Sequence, residues 1–278
     1  MKILITGGAG AVGSNLAERL VNEGHDVISW DNYSFGKISN HVDGVFYENR
    51  DTRDSNLKNL NIDLVYHLGE YSKIAPSFDE IDNVFNFNII GSYKLLRECA
   101  QYNIPVVYAG SSTRLSYPGE MASPYAFFKS TVAKLIEGFS KWYGLKYNIC
   151  YFFNVYGPKT DTWGNEWQTV INIFKNQKEQ DLPLTITGDG TQKRDFTHVD
   201  DIVEGLVLAG KNINNDEFQL GTGKDYSILE IAAAFDHYIE FIPPRPGERP
   251  RGEADITHSK KVLGYQPKYN VINYIKSL

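Results

Sequence analysis

Tyr125 and Lys129 stand four residues apart in Ser123-Pro124-Tyr125-Ala-Phe-Phe-Lys129. Ser123 suits a helix N-cap and Pro124 the first helical position, so one helical turn separates the phenol from the amine and sets both on one face. A phenol with an ordinary pKa of about 10 is a poor base at neutral pH. A neighbouring ammonium, joined by any positive charge a cofactor brings, favours the phenolate and lets it accept a proton from an alcohol. Ser111, in Gly110-Ser111-Ser112-Thr113 just past the apolar run Pro105-Val-Val-Tyr-Ala109, is placed to steer that hydroxyl and to hold the carbonyl that oxidation creates. Ser112 is adjacent and competes for the same role. Tyr33 and Lys37 repeat the spacing, but they fall in a Gly-containing loop and the repeat is read as coincidence.

An alcohol that loses a proton in an oxidation also needs an acceptor for its hydride, and the opening of the chain is built to hold one. Lys2-Ile-Leu-Ile-Thr6 has the composition of a strand buried on both faces. Gly7-Gly-Ala-Gly10-Ala11-Val12-Gly13 follows and leads into a helix with Leu16, Ala17, Leu20 and Val21 at helical spacing. Gly24 and His25 break it, and Asp26-Val-Ile-Ser-Trp30 reads as a second strand ending on Asp31. Gly7 permits the tight turn, Gly10 lets backbone approach a pyrophosphate, and Gly13 lets the helix close onto the sheet, with its N-terminus facing the phosphates. Asp31 is positioned to accept hydrogen bonds from an adenosine ribose, which favours NAD over a cofactor carrying a 2′-phosphate. Asn32-Tyr-Ser34-Phe-Gly36 is turn-rich and placed beside the adenosine. Asp51, ahead of Thr52, either bonds the adenine amino group or caps a helix.

The elements that must position these groups alternate along the chain. Val45-Phe-Tyr47 and Asp63-Leu-Val-Tyr-His-Leu68 read as strands, with Gly69 beside the expected pyrophosphate. Helical periodicity runs from about Val84 to Tyr102, and Asn88 and Gly91 lie in its first half. The expected fold is α/β: a Rossmann-type doubly wound parallel sheet, with ligands outside the carboxyl ends of its strands. From Tyr156 turn signals multiply: Gly157-Pro158, Trp163-Gly164, Leu182-Pro183, Gly188-Asp-Gly190 and Pro243-Pro-Arg245-Pro-Gly247. The expected division is therefore residues 1–155 for the cofactor and 156–278 for a smaller α/β substrate lobe, with 196–220 able to pack back onto the first.

The chain has 278 residues and a net charge of −6, which argues against nonspecific binding to nucleic acid or to an anionic membrane. No apolar run reaches the length of a membrane span and no leader pattern precedes the first strand, so a cytoplasmic location is expected. Cys99 and Cys150 have no metal-ligand spacing, and no metal site is expected.

Taken together the motifs resemble the extended short-chain dehydrogenases/reductases of the NAD-dependent epimerase/dehydratase family, the group that contains UDP-galactose 4-epimerase. The resemblance runs through Thr6-Gly-Gly-Ala-Gly-Ala-Val-Gly13, Asp31-Asn32, Asp51-Thr-Arg-Asp54, His67-Leu-Gly69 and Tyr108-Ala-Gly-Ser-Ser112. It continues through Tyr125-Ala-Phe-Phe-Lys129, Asn154-Val-Tyr-Gly-Pro158 and Gly188-Asp-Gly-Thr-Gln-Lys-Arg-Asp-Phe-Thr-His-Val-Asp-Asp201. It implies Tyr125 as base, Lys129 on the nicotinamide ribose and Ser111 as hydroxyl partner. It also implies cofactor contacts at Leu68, Gly69 and Asn88, with Phe153 by the nicotinamide. For a nucleoside diphosphate sugar it implies Asn154 and Arg194 at the diphosphate, and Arg245 with Glu248 at the nucleotide end. Without the resemblance, Arg194 and Arg245 read more readily as solvated surface arginines.

The chain departs from the family pattern at the sugar end. Thr113-Arg-Leu-Ser116 replaces a small-Val-Tyr-Gly segment, Glu70-Tyr71 replaces a small residue, and Tyr151 stands for an arginine. No Asp-Glu pair follows the strand-end serines, which disfavours a 4,6-dehydratase, and a decarboxylase would also want a glutamate there. A net sugar reductase using NADP meets Asp31, and a non-catalytic NAD-binding regulator would have lost Tyr125 or Lys129. Reversible oxidation at C4 of a UDP-sugar, a 4-epimerisation, is the expected reaction. Phe127, Phe128, Leu135, Phe139 and Trp142 exceed one buried stripe on their helix. Related enzymes pair such helices, which implies a homodimer.

Overall fold

A computed structural model describes residues 1–115, 119–160, 168–244 and 251–278. Arg245 and Glu248 lie outside these, as do the turns expected at Trp163-Gly164 and Arg245-Pro-Gly247.

Strand β1 (Lys2–Thr6) runs through the middle of the sheet because Ile3, Leu4 and Ile5 are buried on both faces. It pairs in parallel with β2 (Asp26–Asp31) on one side and β4 (Leu64–His67) on the other. Beyond β2 lies β3 (Val45–Asn49). Beyond β4 come β5 (Val106–Ser111), β6 (Tyr147–Phe152) and, after the short strands β7 (Val155–Tyr156), β8 (Leu184–Thr187), β9 (Lys193–Asp195) and β10 (Thr197–His198) that lie outside this sheet, β11 (Asp216–Leu220). The seven-stranded order β11-β6-β5-β4-β1-β2-β3 reverses direction at β1, so a crevice opens between β1 and β4 at their carboxyl ends. This is the Rossmann-type doubly wound sheet expected from the alternation of strand and helix signals.

Helix α1 (Ala11–Asn22) buries Leu16, Ala17 and Leu20 against the sheet, as its periodicity requires. The helix expected over 84–102 is a continuous coil of three parts: α2 (Ile81–Val84), a π-helical stretch Phe85–Gly91, and α3 (Ser92–Gln101). A Cβ on Gly91 would lie 2.3 Å from the Thr52 hydroxyl, so the π stretch passes against the segment after β3. Helix α4 (Pro124–Tyr143) begins at the Ser123 cap, whose hydroxyl accepts from Ala126 N, and ends at left-handed Gly144.

A second, smaller core gathers Tyr156, Phe174, Ile186, Phe196, Ile231 and Phe235. Helix α5 (Val170–Glu179), strand β8 (Leu184–Thr187) and helix α7 (Ile228–Phe235) build it. Helix α6 (Val199–Lys211) and β11 pack into the main core, and so do Ala254, Ile256, Leu263 and Tyr265 near the end of the chain. Buried Asp195 accepts from Thr222 N, Gly223 N and Ala254 N, fastening these crossings. Among the described residues no helix is long and apolar enough to cross a membrane.

Backbone packs closely on backbone where α1 meets the turn after β1. A Cβ on Gly13 would sit 2.1 Å from the Gly7 carbonyl oxygen and 2.8 Å from Gly8 Cα, both backbone atoms that cannot swing aside. Gly24 also has a positive φ of 81°, but nothing lies within 4 Å of its would-be Cβ. Gly13→Ala is therefore expected to lower the urea midpoint by the equivalent of about 2 kcal/mol or more through overpacking. Gly24→Ala is expected to cost about 1 kcal/mol from conformation alone. Equal midpoints for the two variants would contradict this account of the turn.

Candidate active site

The carboxyl ends of β1, β2, β4, β5 and β6 surround one cavity of about 380 Å³. Gly7, Gly10, Ala11, Val12 and Gly13 line its floor. Gly7 has a φ of 73°, and a Cβ on Gly10 would meet only the Gly7 oxygen, at 3.2 Å, so the Gly10 face is open to a ligand. Helix α1 starts on this floor with no side-chain cap and no acid in its first turn, which leaves its N-terminal amides for an anion.

Asp31, at the tip of β2, accepts from Ala9 N at 2.9 Å and Tyr33 N at 2.8 Å, while burial raises its carboxyl above the usual range. Asn32, Ser34, Asp51 and Thr52 line the same end. Asp51 does cap a short helical turn, accepting from Arg53 N at 2.8 Å. It also takes the Arg53 guanidinium at 2.8 Å and Asn32 Nδ2 at 2.6 Å, and these partners hold its carboxyl below the usual range against the opposing effect of burial.

Ser111 ends β5, and Tyr125 and Lys129 sit on the first turns of α4; all three line the other end of the cavity with Leu68, Gly69, Phe153 and Asn154. Ser111 Oγ accepts from Thr113 N at 3.3 Å and Thr113 Oγ1 at 2.9 Å, which directs its own proton elsewhere. Ser112 also lines the cavity. Asn154 Nδ2 donates to the Asp195 carbonyl at 2.9 Å, fixing the amide.

Two of the expected residues are not among those lining the cavity. Asn88 is fully buried and does not line the cavity: its Oδ1 accepts from Tyr71 N at 2.8 Å and its Nδ2 donates to Tyr71 O at 3.1 Å. The amide clamps the backbone after β4. Arg194 is likewise absent from the described lining; it lies on β9 (Lys193–Asp195) and donates to the Lys193 carbonyl at 2.8 Å.

The residue that sequence reasoning noted only as a departure, Glu70, proves central. Its carboxylate lies 2.5 Å from Lys129 Nζ, with side-chain exposures of 2% and 7%. It also accepts from Tyr108 OH at 2.8 Å and Ser92 Oγ at 2.5 Å. Lys129 donates further to the Ala109 carbonyl at 2.5 Å. A charged side chain in place of a small one, beside a strand end, was the available signal. Arg114 and Tyr151, the other departures, also meet, at 2.8 Å, and both reach Glu217.

His67 extends the network. Its Nδ1 lies 2.8 Å from Thr6 Oγ1, and its Nε2 lies 2.7 Å from Ser92 Oγ. Thr6 Oγ1 already accepts from Leu68 N and Gly69 N, so its proton goes to Nδ1 and the imidazole carries its own on Nε2. Burial above all, with Lys129 adding to it, lowers His67 to about 4.

The chain belongs to the NAD dependent epimerase/dehydratase family, whose model matches residues 3–221. It is 29% identical to the UDP-glucose 4-epimerase of Mycolicibacterium smegmatis, across 96% of this chain and 94% of the relative. The fold superposes on the UDP-glucose 4-epimerase of Thermotoga maritima, solved with UDP-glucose, with a TM-score of 0.92, 30% identity and coverage of 99% and 96% of the two chains. The Thermus thermophilus UDP-glucose 4-epimerase, solved with NAD, gives a TM-score of 0.90, 28% identity and coverage of 99% and 97%.

Neutral His67 makes stability depend on pH. The unfolded chain, with an ordinary imidazole at about 6.5, binds a proton that the folded chain refuses until pH falls to about 4. The contribution is complete above about 6.5 and declines as pH falls towards 4, by about 3 kcal/mol in all. Urea unfolding of wild type and His67→Gln between these limits should show wild type losing that much stability relative to the variant. A constant difference across the range would show that the imidazole is charged in the folded state.

Proposed function

We propose that this chain is a NAD-dependent nucleotide-sugar epimerase that inverts C4 of a UDP-sugar through a transient 4-keto sugar. The observation that carries the reading is the convergence of Ser111, Tyr125 and Lys129 on a cavity whose floor is the glycine turn and the open N-terminus of α1. The floor fits a dinucleotide: Gly7, Gly10, Ala11, Val12 and Gly13 would hold the pyrophosphate, and Asp31 the adenosine ribose. Asn32, Ser34, Asp51 and Thr52 would surround the adenosine, and Leu68, Gly69 and Phe153 the nicotinamide half. Bound NAD supplies a hydride acceptor that returns the hydride within the same cycle, so no second substrate is needed.

Tyr125 takes the proton from the C4 hydroxyl and gives it back after the ketone has turned over in the cavity. Ser111, its oxygen engaged by Thr113, points its proton to the substrate oxygen and follows it from alcohol to carbonyl. An ammonium has three donors; Glu70 and Ala109 engage two at Lys129, and the third remains for the nicotinamide ribose. Asn154 serves the sugar diphosphate. Among the described lining residues no free acid pair serves elimination: the carboxylates there are Asp31 and Asp51 at the adenosine end and Glu70, held by Lys129.

Incubation with UDP-glucose, UDP-N-acetylglucosamine and UDP-glucuronic acid, read by NMR, should yield the C4 epimer of at least one without net change at 340 nm. Tyr125→Phe is expected to lower kcat by about 10²–10⁴-fold. Steady accumulation of reduced cofactor, or turnover unaffected by loss of the phenol, would defeat the assignment.

The same reading includes a homodimer. Ile81, Phe85, Tyr93, Phe127, Trp142 and Tyr143 are exposed along α2, the π stretch, α3 and α4, an apolar face suited to pairing with itself. Sedimentation at micromolar concentration should give twice the chain mass, and Phe127→Glu/Trp142→Glu should give monomers; a wild-type monomer would rule the pairing out.

A further inference from the structure

The proton directions along the buried network are settled by its ends. Two backbone amides fix Thr6, Thr6 fixes His67, and the His67 Nε2 proton goes to Ser92. Ser92 must then donate to Glu70 Oε1. Tyr108, buried and raised well above its ordinary range chiefly by that burial, keeps its proton and donates to Glu70 Oε2. Among the described residues the hydrogen-bond partners of the Glu70 carboxylate, Ser92, Tyr108 and Lys129, therefore all donate to it.

An ion pair with a carboxylate at 2.5 Å changes what the lysine does for Tyr125. Seen from the phenol, ammonium and carboxylate form a short dipole, not a lone cation, and the field of a dipole falls off faster than that of a charge. We propose that Glu70 is a positioning residue: it fixes the Lys129 ammonium under the cavity wall and offsets its charge, setting the pH at which Tyr125 becomes a base. The proposal rests on the reading of Tyr125 as the proton acceptor.

Two further carboxylates face the elements packed here, Glu80, paired with Tyr71, and Glu120, which takes Ser130 and Lys134 of α4; Glu70 is the one that meets Lys129. From the segment after β4 come His67, neutral, and Tyr71, raised to about 12 mainly by burial. Lys73, lowered to about 8 by burial, comes from the same segment and lines the cavity. From β5 comes Tyr108, and from β6 Tyr151, protonated and tied to Arg114 and Glu217 on its far side. Helix α4 contributes Lys129 itself. Lys73 alone among the shifted groups titrates near neutral pH, so it needs a control.

The test uses the full chain labelled with tyrosine carrying ¹³C at Cζ, with the Tyr125 resonance assigned by Tyr125→Phe and followed against pH with and without NAD. Glu70→Gln keeps the shape and removes the charge, and the Tyr125 midpoint is expected to fall by about 1 pH unit. Lys73→Met in both backgrounds should leave that difference in place. Ser92→Ala keeps both charges and is expected to leave the midpoint or raise it. A fall there as large as in Glu70→Gln would mean that disrupted packing moves the midpoint, and would overturn the proposal. So would an unmoved midpoint in Glu70→Gln. Should Glu70→Gln not fold, Glu70→Gln/Lys129→Met buries no charge and is expected to keep the midpoint within about half a unit of wild type. A rise above about 1 unit would show that the ammonium acts unopposed in the native chain. Because the midpoint is read without substrate, a chain that shows these shifts yet converts no UDP-sugar sinks the epimerase reading alone. A chain that epimerises with an unmoved midpoint sinks this proposal alone.

Discussion

Everything at the working end of this molecule depends on two backbone turns lying against each other. A Cβ on Gly7 would sit 2.8 Å from Gly69 Cα, and one on Gly69 would sit 2.8 Å from Gly7 N, so neither turn can carry a side chain there. Thr6 Oγ1 ties the two by accepting from Leu68 N and Gly69 N. That contact sets the cavity floor at the point where the strand order reverses, and it brings the phosphate-type turn after β1 within reach of the segment bearing Glu70. A looser junction would widen the crevice and separate the adenosine end from the catalytic end.

The same contact explains how a carboxylate and an ammonium survive burial. Removing two charges from water is costly, and an ion pair recovers the cost only with good geometry and all remaining donors and acceptors satisfied. Here Glu70 has three donors and Lys129 has two acceptors at short distances, while the adjoining imidazole stays neutral. Apolar side chains of similar volume would stabilise a sheet end at least as well. The pair is better accounted for by the charge it sets at the Tyr125 phenol, one helical turn away, than by the stability it contributes.

The strand-turn-helix opening and the placing of Tyr125, Lys129 and Ser111 were legible because each follows from local rules: strand composition, glycine sterics and the one-turn spacing of a capped helix. What escaped was long-range. Asn88 looked available for a cofactor, yet a π stretch turns its amide onto the Tyr71 backbone, and no short-range pattern distinguishes that stretch from ordinary helix. The side-chain direction of Arg194 is set by a strand whose antiparallel partner, β12 (Asp225–Ser227), lies far along the chain. Glu70 was visible as an oddity, and its meaning required knowing that Lys129, on another element, would meet it.

The departures from the family pattern make physical sense only as contacts. Glu70 meets Lys129, and Arg114 meets Tyr151 and reaches Glu217 and Glu137, so each unusual charge arrives with its counter-charge. An unpaired charge at either place would carry the desolvation penalty alone and unsettle the fold, which couples the residues of each set to one another. Both sets lie around the end of β5, where Ser111 and Tyr125 stand, and neither touches the glycine turn or Asp31. Of the two sets, Glu70 and Lys129 line the cavity, whereas Arg114, Tyr151, Glu217 and Glu137 are not among its described lining residues, so the first set rebuilds the charge pattern inside the cavity and the second lies behind it.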